Sequence, residues 1–443
     1  MNQLSKGELI GIGLMMFSIF FGAGNLIFPP ALGQAAGDHA IPAMIGFLIT
    51  GVGMPFIGIV AIALQGGKYI EFIDRVTSLR FASGLLAVLY LTIGPGFAIP
   101  RTGAVSFEIG VRPFLTPESI TIGMAGYTAL FFLATFFLAL NPNKLIDRVG
   151  KVLTPILLVF LAIMFAKSFI TPLGDIMAAT GKYIDAPFTQ GFLDGYQTMD
   201  MLASIAIGTI IINSVRARGV EDPKALGKIC VFAGLISITL MSIVYLSLTY
   251  LGATSASVLG LSANGGQLLA SAVTILFGPA GNMVLGVVIC LACLTTSCGL
   301  VSGSSWFFNR LLGNRISYER LALIFTLFSF AVSNVGLTQI IALAVPFLVA
   351  IYPVVIVLVL TSLFSGAIGT RYTVYRCAAY IALVFAIVDA LNAANLKIDA
   401  LDRFFTAYLP LYPDMMGWVV PSIVGVIVGL ILSSVRGEGS RAL

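Results

Sequence analysis

Phe20-Phe21-Gly22-Ala23-Gly24-Asn25-Leu26-Ile27-Phe28-Pro29-Pro30 occupies the middle of the first long apolar segment, Leu9 to Ala36, where a plain membrane anchor would carry uninterrupted helix formers. Gly22 and Gly24 each cost roughly 1 kcal/mol in a helix, and Pro29 and Pro30 are not expected together in an undistorted one. The run predicts a backbone that unwinds near mid-bilayer. Broken backbone in hydrocarbon persists only where protein buries it or it lines a cavity, because unpaired N–H and C=O groups are costly there. A solute or ion site made of freed backbone groups is the functional reading; a proline kink serving packing alone is the other.

Of 443 residues, 58% are hydrophobic and 10% charged, far below the roughly 25% charged residues of a soluble domain. The composition describes an all-α polytopic membrane protein whose surroundings are a lipid bilayer. Windows of about 20 apolar residues fall near 8–36, 41–65, 84–108, 121–140, 150–172, 192–214, 226–252, 280–308, 318–336, 338–364, 373–392 and 415–434. Twelve spans are therefore expected, with no extramembrane domain, and residues 1–443 read as a single transmembrane unit. Alternate connectors carry 18 of the 24 Lys and Arg, among them Lys68, Arg75 and Arg80, then Lys144, Arg148 and Lys151, with Lys6 before the first span and Arg436 and Arg441 after the last. The positive-inside rule then places both termini in the cytoplasm. The net charge of +5 is a topology signal and implies no nucleic acid. The first apolar run is too long for a signal-peptide core and is expected to be retained.

A second break is expected half a protein away. Gly191-Phe192-Leu193-Asp194-Gly195-Tyr196-Gln197-Thr198-Met199-Asp200 sets polar groups and an acid inside the sixth segment. Five spans separate the onset of segment one from that of segment six, and an odd number inverts the second unit, as in secondary transporters whose paired broken helices form a central site. The units are 8–172 and 192–364, with 373–434 outside the repeat.

Phe21 to Pro30, Gly195 to Asp200, and Pro100-Arg101-Thr102-Gly103-Ala104-Val105-Ser106-Phe107-Glu108 together resemble the bacterial branched-chain amino acid carrier family over essentially the whole chain. The resemblance implies sodium-coupled import of leucine, isoleucine and valine across the bacterial inner membrane, on a fold related to the LeuT-type transporters. It also implies that sodium lies between the first break and Ala292-Cys293-Leu294-Thr295-Thr296-Ser297 in span eight, with Ala292, Thr295 and Thr296 as ligands; hydroxyls bonded back to their own helix are the alternative.

Read as chemistry, a resumed half-helix points its first amides and positive dipole end at an anion. Ala23, Gly24 and Asn25 are the expected carboxylate donors, and Gly22 keeps the approach open. Ser18 and Phe21 supply carbonyls for a cation on the other side of the break. Thr198 and Asp200 face them from the sixth segment. An acid inside a span costs at least about 2.5–3.5 kcal/mol, and three roles are open to Asp200: meeting a substrate ammonium or coupling cation, orienting the unwound backbone, or pairing with Arg101. Arg101 and Glu108 are expected as a structural or gating pair, either with each other or through Arg101–Asp200. Asp389 and Asn392 read as interfacial. Five cysteines in or beside apolar helix, one histidine and no phosphate-binding loop leave no organic cofactor, no catalytic constellation and no direct ATP drive. The chain reads as a transporter and not an enzyme, with proton coupling through Asp200 as the alternative to sodium.

Overall fold

The computed structural model describes the backbone of residues 4–140 and 142–438, and side chains other than those of 142–154 and 207. Lys144, Arg148, Lys151 and Arg441 of the basic pattern lie outside those side chains. Among the described residues the chain is helical, without strands. The first segment is split into α1 (Lys6–Phe20) and α2 (Ala23–Ala36). α3 (Ala40–Leu48) and α4 (Met54–Leu64) are joined by a π-helical turn at Ile49–Gly53, and a short α5 (Tyr69–Val76) precedes α6 (Leu79–Leu91). A second π turn at Thr92–Gly96 leads into α7 (Ala98–Gly110). Then follow α8 (Ile120–Ala139), α9 (Pro142–Ile170), α10 (Pro187–Asp194), α11 (Asp200–Arg216), α12 (Pro223–Leu259), α13 (Gly265–Leu311), α14 (Tyr318–Ser333), α15 (Leu337–Leu363), α16 (Ser365–Ile368), α17 (Tyr372–Ala393), α18 (Asp399–Tyr408) and α19 (Val419–Val435). Among the described residues, seven helical stretches are long and apolar enough to cross a bilayer, and an eighth if Pro187–Ala206 and Gly208–Arg216, bent by 43°, count as one span.

Three expectations change. Pro29 and Pro30 lie inside α2; the backbone has already broken at Phe21-Gly22, so the prolines sit near the second turn of a fresh helix. The Thr249 hydroxyl donates to the Pro29 carbonyl at 3.2 Å. The eighth segment begins earlier than its apolar window, because a helical stretch from Gly265 turns through Gly278, at φ 72°, into Pro279. Finally, Asp389, expected at the membrane interface, is fully buried within the protein, at 0% exposure, and Asn392 donates to the Tyr412 hydroxyl at 2.7 Å.

Apolar residues of α8, α9 and α19, such as Leu133, Phe137, Val159 and Ile431, face outward. The interior is drawn together by glycine. A Cβ on Gly33 of α2 would stand 2.0 Å from the Thr249 carbonyl oxygen of α12, and one on Gly252 of α12 would stand 2.0 Å from that of Pro30. α3 and α10 meet the same way, through Gly46 against Phe188 O and Gly191 against Ala43 O. With no hydrophobic effect between helices in lipid, such close backbone contact is a main source of association energy. Gly252→Val therefore has to push α12 off α2. The expected cost is about 1–3 kcal/mol or more, read as a lowered unfolding temperature in detergent, whereas Gly299→Ala, where a Cβ meets nothing within 4 Å, should not lower it.

Candidate binding site at two helix breaks

α1 closes with the Phe21 amide on the Phe17 carbonyl at 2.8 Å. The next amide, Gly22, turns away from the ladder and donates to Asn25 Oδ1 at 3.2 Å. Gly22 is extended, at φ −122° and ψ −168°, and α2 restarts one residue later with the amides of Ala23, Gly24 and Asn25 at its positive end. In the sixth segment α10 runs into a 3₁₀ turn at Gly195–Thr198, and Met199, in the left-handed region at φ 62°, redirects the chain into α11. A non-glycine residue there costs of order 1–3 kcal/mol and persists because its surroundings fix it.

Those surroundings are the partners of the freed carbonyls. Thr50 Oγ1 donates to Phe192 O at 2.6 Å, Thr198 Oγ1 to Gly195 O at 3.0 Å, and Arg101 Nη1 to Gln197 O at 2.6 Å. Arg101 Nη2 approaches Thr198 O at 3.5 Å. The two breaks are then tied together by one side chain. Asn25 Nδ2 donates to Asp200 Oδ2 at 2.7 Å and to the Tyr245 hydroxyl of α12 at 2.5 Å. Asp200, the first residue of α11, is 4% exposed, and its amide is 3.4 Å from Thr198 Oγ1. A helix N-terminus and a side-chain donor both favour a carboxylate held at that depth.

The structure thus gathers Gly22, Ala23, Gly24, Asn25, Thr198, Asp200 and Arg101 about the two breaks. Thr296 joins them, since a Cβ on Gly22 would lie 3.8 Å from its hydroxyl oxygen. The hydroxyls of Thr295 and Thr296 both donate to Ala292 O, at 2.9 and 3.0 Å. Those bonds are the back-bonding to their own helix expected as the alternative, and they leave lone pairs on both hydroxyl oxygens. Ser18, in the last turn of α1, already has an interaction of its own, and Phe21 is the cap residue of that helix. The Arg101 pairings are also corrected. Glu108 pairs with Arg112, one turn further along, at 2.8 Å, and no ion pair joins Arg101 to Asp200 among the described residues. Gly24 has a further use: a Cβ there would meet Arg101 Nη2 at 2.9 Å, so the glycine makes room for the guanidinium. Tyr245 carried no signal in the sequence, being one of 14 tyrosines in an otherwise apolar helix.

Two interrupted helices meeting at a buried carboxylate within an all-helical, multi-pass chain define a membrane transporter. The fold is shared with MhsT in complex with L-phenylalanine, at a TM-score of 0.54 and 17% identity over 97% of this chain and 98% of that one, and with inward-facing Mhp1, at 0.53 and 13% over 97% and 91%. The chain belongs to the branched-chain amino acid transport protein family, whose pattern it matches over residues 5–436. It is 46% identical to the branched-chain amino acid permease BraB of Bacillus subtilis, over 99% of this chain and 98% of that protein. Identity is 42% to the branched-chain amino acid transport system 2 carrier protein of Pseudomonas aeruginosa, over all of both chains, and 37% to the branched-chain amino acid permease BrnQ of Escherichia coli K12, over 99% and 98%. These relatives are carriers and permeases, and the protein is a transporter, not an enzyme.

Asn25 is the joint between the breaks. Asn25→Leu strips the donor from a buried carboxylate and the acceptor from the Gly22 amide, with an expected cost of about 1.5–3 kcal/mol, against about 1 kcal/mol for Tyr245→Phe. Thermal unfolding of the two purified variants checks the order.

Proposed function

We propose that the protein imports leucine, isoleucine and valine across the bacterial inner membrane in symport with sodium. The observation that carries this reading is the Asn25–Asp200 bond of 2.7 Å, which sets the amide end of one broken helix against the acid end of the other. An amino acid held there places its carboxylate at the amides of Ala23, Gly24 and Asn25 and its ammonium toward Asp200 and the freed carbonyls near Thr198. The coupling cation lies on the α1 side of the first break, between the backbone at Ser18 and Phe21 and the hydroxyl oxygens of Thr295 and Thr296, a hard set suited to a hard ion. The architecture behind it is twelve spans, with units 8–172 and 192–364 inverted about the membrane plane, 373–434 outside them and both termini in the cytoplasm. One inward positive charge at about 100 mV contributes about 2.3 kcal/mol, roughly a 50-fold accumulation before any sodium gradient is added.

Uptake of labelled leucine into proteoliposomes, with and without an inward sodium gradient at fixed pH, is the direct test. Stimulation by sodium is expected, and uptake that ignores sodium overturns the coupling. Thr296→Ala removes a ligand oxygen facing Gly22 and should raise the sodium concentration for half-maximal uptake severalfold at unchanged protein abundance; if neither it nor Thr295→Ala shifts that concentration, the cation is elsewhere. Proton coupling has one feature in its favour, a single buried carboxylate joining both breaks. Under that reading Asp200→Asn flattens the pH dependence of uptake, whereas under sodium symport it weakens affinity.

Among the described residues gathered at the two breaks, Arg101 and Asp200 are the charged ones, a single pair that the α-carboxylate and ammonium take up, leaving none for an ionised side chain. Excess isoleucine and valine should compete with labelled leucine, and lysine and glutamate should not. Discrimination among the three aliphatic substrates is expected to be weak, since one methylene in an apolar pocket is worth about 1–3 kcal/mol at most. Strong inhibition by lysine or glutamate with none by isoleucine overturns the substrate.

A further inference from the structure

Arg101 is a buried cation that makes no ion pair among the described residues. It is 4% exposed, and among the described residues the only ion pairs are Glu108–Arg112 and Lys397–Asp402. Its hydrogen bonds go to the carbonyls of Gln197 and Thr198, so most of the five N–H groups of a guanidinium fork are uncommitted. Burial of an unpaired charge is expensive, and buried cations ordinarily have a carboxylate or an equivalent within reach.

The direction of the fork shows what is missing. Nη2 lies 2.9 Å from where a Cβ on Gly24 would stand, and the guanidinium carbon is 5.2 Å from the Phe28 ring centroid. The guanidinium therefore lies against the first turn of α2, whose amides are a second, independent source of positive potential. Asp200 stands two residues past the Thr198 carbonyl that Arg101 Nη2 approaches, while its own carboxylate is held by Asn25 at 2.7 Å. Opposite charges fixed near each other without touching are the complement of a zwitterion.

We infer that Arg101 is a substrate-binding residue, whose guanidinium supplies the counter-charge to the α-carboxylate of the transported amino acid beside the Ala23 and Gly24 amides. This rests on the reading that the two breaks hold an amino acid, and it adds a requirement: the free α-carboxylate, not the aliphatic chain alone, selects the substrate. On binding, the fork spans the carboxylate and the unwound Gln197–Thr198 carbonyls, so the substrate completes a bridge from α2 through α7 to the sixth segment.

The test compares displacement of labelled leucine from purified protein in sodium by leucine and by leucinamide, which keeps the side chain and ammonium and loses the carboxylate charge. In the wild type leucine is expected to bind about tenfold or more tighter than leucinamide, the worth of a charge-assisted bond. In Arg101→Gln leucine affinity falls, leucinamide affinity stays nearly level, and the ratio moves toward one. A residue that only braces the Gln197 and Thr198 carbonyls weakens both ligands together and leaves the ratio unchanged, which overturns the inference; so does a wild-type ratio near one. Arg101→Lys keeps the charge but not the two-point fork, so its ratio is expected below that of the wild type, and it serves if the glutamine variant does not fold; an unchanged ratio there also overturns the inference. Wild-type protein that binds no branched-chain amino acid sinks the substrate reading itself, a result separate from one in which leucine binds and the ratio ignores residue 101.

Discussion

Backbone groups taken out of a helix inside hydrocarbon have to find partners within the protein, and the centre of this structure is organised by that demand. Two helices are interrupted, and the released groups are met one by one: the Gly22 amide by Asn25, the Phe192 carbonyl by Thr50, the Gln197 carbonyl by Arg101. The partners come from neighbouring segments, so satisfying the breaks also sets where those neighbours stand. Thr50 belongs to the π-helical turn of the second segment, and Arg101 follows the π turn and Pro95 of the third. Distortions in four segments thus answer one another.

The charges obey the same demand at higher stakes. Asp200 and Arg101 are both buried without direct ion pairing, each held by dipoles: the amide of Asn25 and the start of α11 for the acid, peptide carbonyls for the base. Dipoles can hold a charge in place without cancelling it. The interior therefore keeps a separated plus and minus where a salt bridge would have closed the gap.

Much of this was legible in the chain. Gly22-Ala23-Gly24-Asn25 inside an apolar run and Asp200 inside another have few explanations in a membrane, and each marks a break that the structure contains. The partners were not legible. Arg101 was expected beside Glu108, because residues seven apart share a helix face, but Arg112 lies a single turn from that acid and takes it. Tyr245 is an unremarked tyrosine until Asn25 is seen to reach it. Pro29 and Pro30 looked like breakers because their neighbours were read as continuous helix, whereas the glycine break upstream had already reset the count. Asp389 was placed at an interface by its distance from the end of an apolar window, and the chain after α18 folds back to cover it, with Gly417 so near that a Cβ there would lie 3.2 Å from Asp389 Oδ1.

The glycine seam between α2 and α12 bears on how a broken element keeps its shape. α12 is unbroken over 37 residues, about 55 Å of rod, and it lies along both halves of the interrupted first segment. A Cβ on Gly13 of α1 would stand 2.8 Å from Ala233 O of this rod, and Gly33 of α2 presses on Thr249 further along it. The fractured span is in effect splinted, with backbone gripped on either side of the fracture. Tyr245 falls between the two grips, level with the fracture, and its hydroxyl receives the Asn25 amide. A tilt of either half against the splint is levered about that point, so the fulcrum of the first segment also holds Asn25, the side chain that reaches Asp200 of the sixth.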